Sequence, residues 1–192
     1  RVHFSNTFGA TPLVVGAAHV ALHARESAVV AGSDRVLRFS GKPGLTIPPG
    51  ASAISDPVDL DVAPLGELAV SLYVPGVTAA PSLHALASHT SYISKQQGDA
   101  TMEQAIKDAA TTQSWYWLAS VDVLAPADAG AIVAFGDSIT DGARSTPNTD
   151  SSWPSRLARR LSANRDTAHL AIVNQGIGGN RILRDGTGPN AL

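Results

Sequence analysis

The apolar pattern of the chain changes character once, at Leu124-Ala-Pro-Ala-Asp-Ala-Gly130, and that change decides what the chain can fold into. Upstream, apolar and polar side chains alternate in short runs separated by Lys42-Pro43-Gly44, Pro48-Pro49-Gly50 and Val74-Pro75-Gly76. Period-two alternation between turn formers predicts an antiparallel β-sandwich, jelly-roll-like, over residues 1–124. The expected strands are 2–4, 12–24, two within 28–39 around Gly32-Ser33-Asp34, then 45–47, 53–62, 67–74, 90–94 and 114–123. Residues 102–110 are good helix formers with a thin apolar face, and are expected to give a turn or two of helix inside a loop.

Residues 125–130 read as a linker. Beyond them, 131–135 is a continuous apolar run, the pattern of a strand buried on both faces of a parallel sheet, and 170–174 is a second. Between the two, Pro154 suits the first turn of a helix, and Leu157 and Leu161 share a face that Arg156, Arg159 and Arg160 avoid. The three arginines are expected to form a solvated face. Strand, helix and strand make a right-handed βαβ unit, so 131–192 begins an α/β domain. Two strands cannot cover both faces of an open parallel sheet. The remainder is expected to be missing or to lie on a second polypeptide that completes the domain.

Composition narrows the partners. With 14 Lys and Arg against 16 Asp and Glu, no excess of positive charge draws the chain to nucleic acid. No apolar run reaches membrane-spanning length. Zero Cys removes thiolate nucleophiles, disulfides and sulfur-based metal sites. No two histidines show metal spacing with a third ligand nearby, and His19 and His23, four apart along a strand, stand about 13 Å from each other. Neither metal nor cofactor is expected. The chain opens on Arg1-Val2-His3-Phe4 with no initiator Met and no signal peptide, so residue 1 is not expected to be where translation begins.

Two loops could carry chemistry. Phe135-Gly-Asp-Ser138-Ile-Thr-Asp-Gly142 follows the first buried-type strand, at the carboxyl edge where α/β sheets bind ligands. Ser138 there is a candidate nucleophile, and a helix or loop cap is the alternative. The nucleophile elbow of α/β-hydrolases needs Gly where Thr140 stands, so that arrangement is excluded. Gln175-Gly-Ile-Gly-Gly-Asn-Arg181 follows the second strand in the same position. Its glycines would let backbone N–H groups face developing negative charge, or simply make a tight turn. A dinucleotide fingerprint would require Gly at position 181, which is Arg.

Taken together, Gly136-Asp-Ser138, Trp153-Pro154 and Asn174-Gln-Gly-Ile-Gly-Gly-Asn180 resemble the first two sequence blocks of the SGNH (GDSL) hydrolases. The β-rich upstream half is similar to the N-terminal extension of a secreted bacterial subgroup. The resemblance implies a serine ester hydrolase on a flavodoxin-like three-layer domain, secreted or periplasmic, with Ser138 as nucleophile and the N–H groups of Ser138 and Gly179 in the oxyanion hole. The implied substrate is a carboxylic ester, short-chain acyl or acetylated carbohydrate, cleaved through an acyl-enzyme. Asp137 is expected to accept loop N–H groups. The implied Gly-x-Asn-Asp and Asp-x-x-His blocks have only imitations here. Gly188-Pro189-Asn190-Ala191 lacks the Asp and a preceding strand, and Asp166-Thr-Ala-His169 falls at the wrong end of the second strand. The Asn, Asp and His are therefore expected on the second polypeptide.

His84 and His89 are expected in a loop of the β domain with surface roles, a place facing a cleft between domains being the other reading. Trp115 and Trp117, flanking Tyr116, are expected to pack on one face of a strand, with a sugar-stacking platform as the other reading. If Ser138 is only a cap, the chain is instead a carbohydrate-binding protein with a degenerate hydrolase remnant.

Overall fold

In the computed structural model, which describes residues 1–186 and 190, the chain separates into two units, one of residues 1–84 and 91–123 and one of 85–90 and 124 onward. The first unit carries β1 (Val2–Ser5), β2 (Leu13–Val15), β3 (Ala17–Arg25), β4 (Ala28–Val29), β5 (Arg35–Val36), β6 (Leu45–Ile47), β7 (Ser52–Ile54), β8 (Leu68–Tyr73), β9 (Leu83–His84), β10 (Ser91–Ile93), β11 (Ala110–Thr112), β12 (Trp115–Tyr116) and β13 (Leu118–Val121). All their pairings are antiparallel. β1 lies between β7 and β13, while β3 pairs with β8 along six residues and with β4 and β5 over shorter stretches.

Alternation built this core. Val2 and Phe4 of β1 and Leu13 and Val15 of β2 point inward with Ala18, Val20, Leu37, Phe39 and Ile47. Phe4 and Phe39 meet with ring centroids 6.0 Å apart. Buried polar side chains in this unit are paired with one exception among the described residues, the Trp117 indole N–H: the Asn6 amide donates to the carbonyls of Thr11 and Ile47, both at 2.9 Å, and His19 pairs through Nδ1 with Asp34 at 2.8 Å. Unpaired, such groups would cost about 1–3 kcal/mol each.

Several expected strands are shorter. In 28–39, β4 and β5 each pair with β3 and not with each other, because the turn sends both back against the longer strand. Of 53–62 only the beginning pairs, in β7. The run 114–123 is broken at Trp117, whose φ of +59° interrupts the pleat. Trp115 and Trp117 therefore do not share a face: Trp115 meets His84 edge-on at 5.8 Å, and Trp117 packs against the core. Residues 102–109 form turns and no helix, as their thin apolar face allows.

The second unit is a βαβ unit: β14 (Gly130–Gly136), α1 (Ser138–Asp141), α2 (Trp153–Ala163) and β15 (Leu170–Gly176). β14 and β15 pair in parallel, Gly130 with Leu170 through Gly136 with Gly176. Ser152 caps α2 and Pro154 occupies its first turn. The burial expected on both faces of the strands is not present among the described residues. Only Ala134 of β14 is buried, whereas Val133 is 59% and Phe135 57% exposed, since each strand has one neighbour. Arg159 is not merely solvated: it reaches the Thr149 carbonyl and Asp150, both at 3.3 Å.

Leu37 is fully buried, and its N–H donates to Ala18 at 2.8 Å. Leu37→Ala is expected to lower the stability of the first unit by about 2–5 kcal/mol, read as a lower urea midpoint with unchanged slope.

Candidate active site

Ser138 sits where β14 gives way to a single helical turn. Asp137 starts that turn: its carboxylate accepts the Ile139 N–H at 2.9 Å, and its carbonyl accepts Asp141 N–H at 2.9 Å. Gly142, at φ +127°, ends the turn. Its N–H and that of Ala143 both return to the Ser138 carbonyl, at 3.1 and 2.8 Å. The half-buried Ser138 side chain is thereby held at the carboxyl edge of the parallel pair.

The turn lies directly on the strand ends because two registered residues lack Cβ atoms. A Cβ on Gly136 would overlap the Thr140 side chain, and one on Gly176 would come within 2.7 Å of Thr140 C and Asp141 Cα. Asn174 fastens the contact. Its amide donates to the Thr140 carbonyl at 2.9 Å, while its Oδ1 accepts Gly176 N–H at 2.9 Å.

After β15 the chain turns sharply. Ile177 N–H returns to Gly136 at 3.1 Å, and Asn180 N–H bonds the Ile177 carbonyl at 3.0 Å, closing a four-residue turn. Gly179 takes its third position at φ +83° and Gly178 keeps negative φ, the arrangement of a type II turn, which favours Gly at that position. The buried Asp141 carboxylate accepts Gly178 N–H at 3.1 Å, tying this turn to the Ser138 turn. Among the described residues, no acceptor pairs with the N–H of Ser138 or Gly179. Neither Asp141 nor Asn174 stands out in the sequence. The available signals are an Asp directly before Gly142-Ala143 and an Asn at the end of an apolar run, two residues before Gly176.

Of the six histidines, five have side-chain partners other than Ser138. His3 pairs with Asp122 at 2.6 Å, His19 with Asp34, and His23 with Glu67 at 2.6 Å. His84 packs on Trp115. His89 lies in the second unit, where it contacts Asp150 at 3.1 Å and the Ala87 carbonyl at 3.2 Å. His169 is exposed at the start of β15, and its carbonyl accepts Gly130 N–H at 3.0 Å. The seven-residue strand β14 then separates it from Ser138 by about 20 Å. Of the imitation block at 188–191, only Asn190 is described, and it bonds Asp185 at 2.9 Å; the rest lies outside the described residues.

A serine hydroxyl at a parallel-strand terminus, beside a glycine turn with an available N–H, defines a site suited to nucleophilic attack on a carbonyl. Residues 132–192, about a third of the chain, match the family model of GDSL-like lipase/acylhydrolases, and that match supports acyl hydrolysis. No curated protein matches the chain.

Two substitutions separate close approach from mere flexibility. Gly176→Ala is expected to cost about 1–3 kcal/mol in thermal unfolding, because the added methyl meets backbone. Gly178→Ala, whose methyl would stand 3.7 Å from Asp141 Oδ2, should change stability by less than about 0.5 kcal/mol. His169→Ala is expected to leave ester turnover within about 2-fold, given the separation that general-base chemistry forbids.

Proposed function

We propose that the protein is a serine esterase acting on carboxylic esters of short-chain acyl groups or acetylated carbohydrates, outside the cytoplasm. The observation that carries this reading is the pairing of the Ser138 turn with the type II turn at Gly179. It leaves two N–H groups, those of Ser138 and Gly179, on the loops that flank the hydroxyl. The family match over 132–192 supports the same chemistry.

Ser138 Oγ attacks the ester carbonyl and passes its proton to an imidazole. The carbonyl oxygen becomes an oxyanion that accepts the Ser138 and Gly179 N–H groups. Collapse expels the alcohol, which takes the proton from the imidazolium, and leaves an acyl-Ser138. Water, deprotonated by the same imidazole, then releases the acid and restores the serine. The imidazole, its Asp and a third oxyanion donor, an Asn, come from polypeptide outside these residues. That polypeptide completes a flavodoxin-like layer over the exposed apolar faces of β14 and β15. The first unit is a jelly-roll-like accessory domain.

Labelling with a serine-reactive phosphonate, followed by peptide mapping, tests the reading. Modification at Ser138 is expected. Absence of labelling alongside tight glycan binding would instead make the chain a carbohydrate-binding protein. Ser138→Ala should abolish turnover of a short acyl ester while leaving Tm within a few degrees. Gly179→Ala should lower kcat by about 10²-fold with little change in KM, the scale of one lost oxyanion donor.

A further inference from the structure

We propose that Asp141 is a positioning residue, which holds the Gly178–Gly179 peptide so that the Gly179 N–H faces the reacting oxygen; this rests on the esterase reading above. The carboxylate is buried, only 8% of the residue being exposed, and it sits on the same turn as Ser138. Its Oδ2 accepts Gly178 N–H at 3.1 Å, and its backbone is held at both ends, by the Asp137 carbonyl and by the Asn174 amide at 3.4 Å.

Burying a carboxylate is costly unless N–H groups meet it, so a nonpolar residue would serve packing better. What the carboxylate adds is direction. In the type II turn, the N–H groups of the second and third residues leave on different sides of the turn. Anchoring the Gly178 N–H to Asp141 fixes the plane of one peptide, and the Asn180 N–H to the Ile177 carbonyl fixes the other end of the turn. The intervening peptide, which carries the Gly179 N–H, then has one orientation. Since Asp141 and Ser138 belong to one helical turn, nucleophile and donor are placed by the same rigid piece. Pre-set hydrogen-bond donors of this kind need no rearrangement as charge develops.

The experiment uses the intact, active protein and three variants, Asp141→Ala, Asp141→Asn and Ser138→Ala. Asp141→Ala is expected to lower kcat by about 10- to 100-fold with KM within about 3-fold, the scale of a donor displaced by about an ångström. Asp141→Asn keeps an oxygen acceptor and should recover most of that kcat. In NMR spectra the Gly178 amide proton, shifted downfield by the carboxylate, should move upfield in the Ala variant at a temperature where both proteins remain folded. Equal kcat loss in Ala and Asn variants, a change in KM alone, or an unmoved Gly178 amide would overturn the positioning role. Full turnover by Ser138→Ala would overturn the esterase reading itself, and the amide shift would still report whether Asp141 holds the turn.

Discussion

The second unit depends on how closely one helical turn can approach the ends of two parallel strands. Gly136 and Gly176 face each other in register, and both lack the atom that would keep α1 away. Their absence of side chains brings the Thr140 and Asp141 backbone onto the sheet edge, where the Asn174 amide reaches the Thr140 carbonyl and the Asp141 carboxylate meets the N–H of Gly178. Ser138 is therefore positioned by steric vacancy first and by hydrogen bonds second. A methyl group at Gly176 would act on the Ser138 turn through Thr140 and Asp141.

Hydrogen bonding in this small region is dense for a physical reason. Strand ends and short turns leave orphan N–H and carbonyl groups, and each must find a partner or water. Asp137 takes Ile139 and Asp141, Asn174 takes Gly176 and Thr140, and Asp141 takes Gly178. The loop backbone is thus satisfied by the carboxylates of Asp137 and Asp141, by the Asn174 side chain as both donor and acceptor, and by the Asp137 carbonyl. Among the described residues, the N–H groups of Ser138 and Gly179 have no such acceptor.

What could be read in advance follows the range of the interactions involved. The strand of β14, the helix with Pro154 in its first turn and the strand of β15 come from local period and capping, and the Gly-Asp-Ser block marks its serine by position after a strand. Antiparallel character was legible upstream for the same reason. The lengths of those strands were not, because Trp117 interrupts the pleat at a positive φ that residue type does not announce, and the turn at 32–34, legible as a turn, directs both flanking strands onto β3 and not onto each other. Asp141 was opaque because its partner, Gly178, is 37 residues away. Burial of β14 failed as an expectation because an apolar run records what a strand prefers to touch, while exposure records which neighbours are at hand.

Residues 85–90 belong to the second unit although strands of the first precede and follow them. Thr90 exchanges hydrogen bonds with Asn148, 58 residues along the chain, and His89 meets Asp150. Closing so long a loop carries an entropic cost that grows with the free chain between its ends. In the folded chain that cost is shared with β10 to β13, which order much of the intervening segment. A cut at the apparent junction near 124 would separate the two units on paper, but it would leave six residues of the second unit attached to the wrong half.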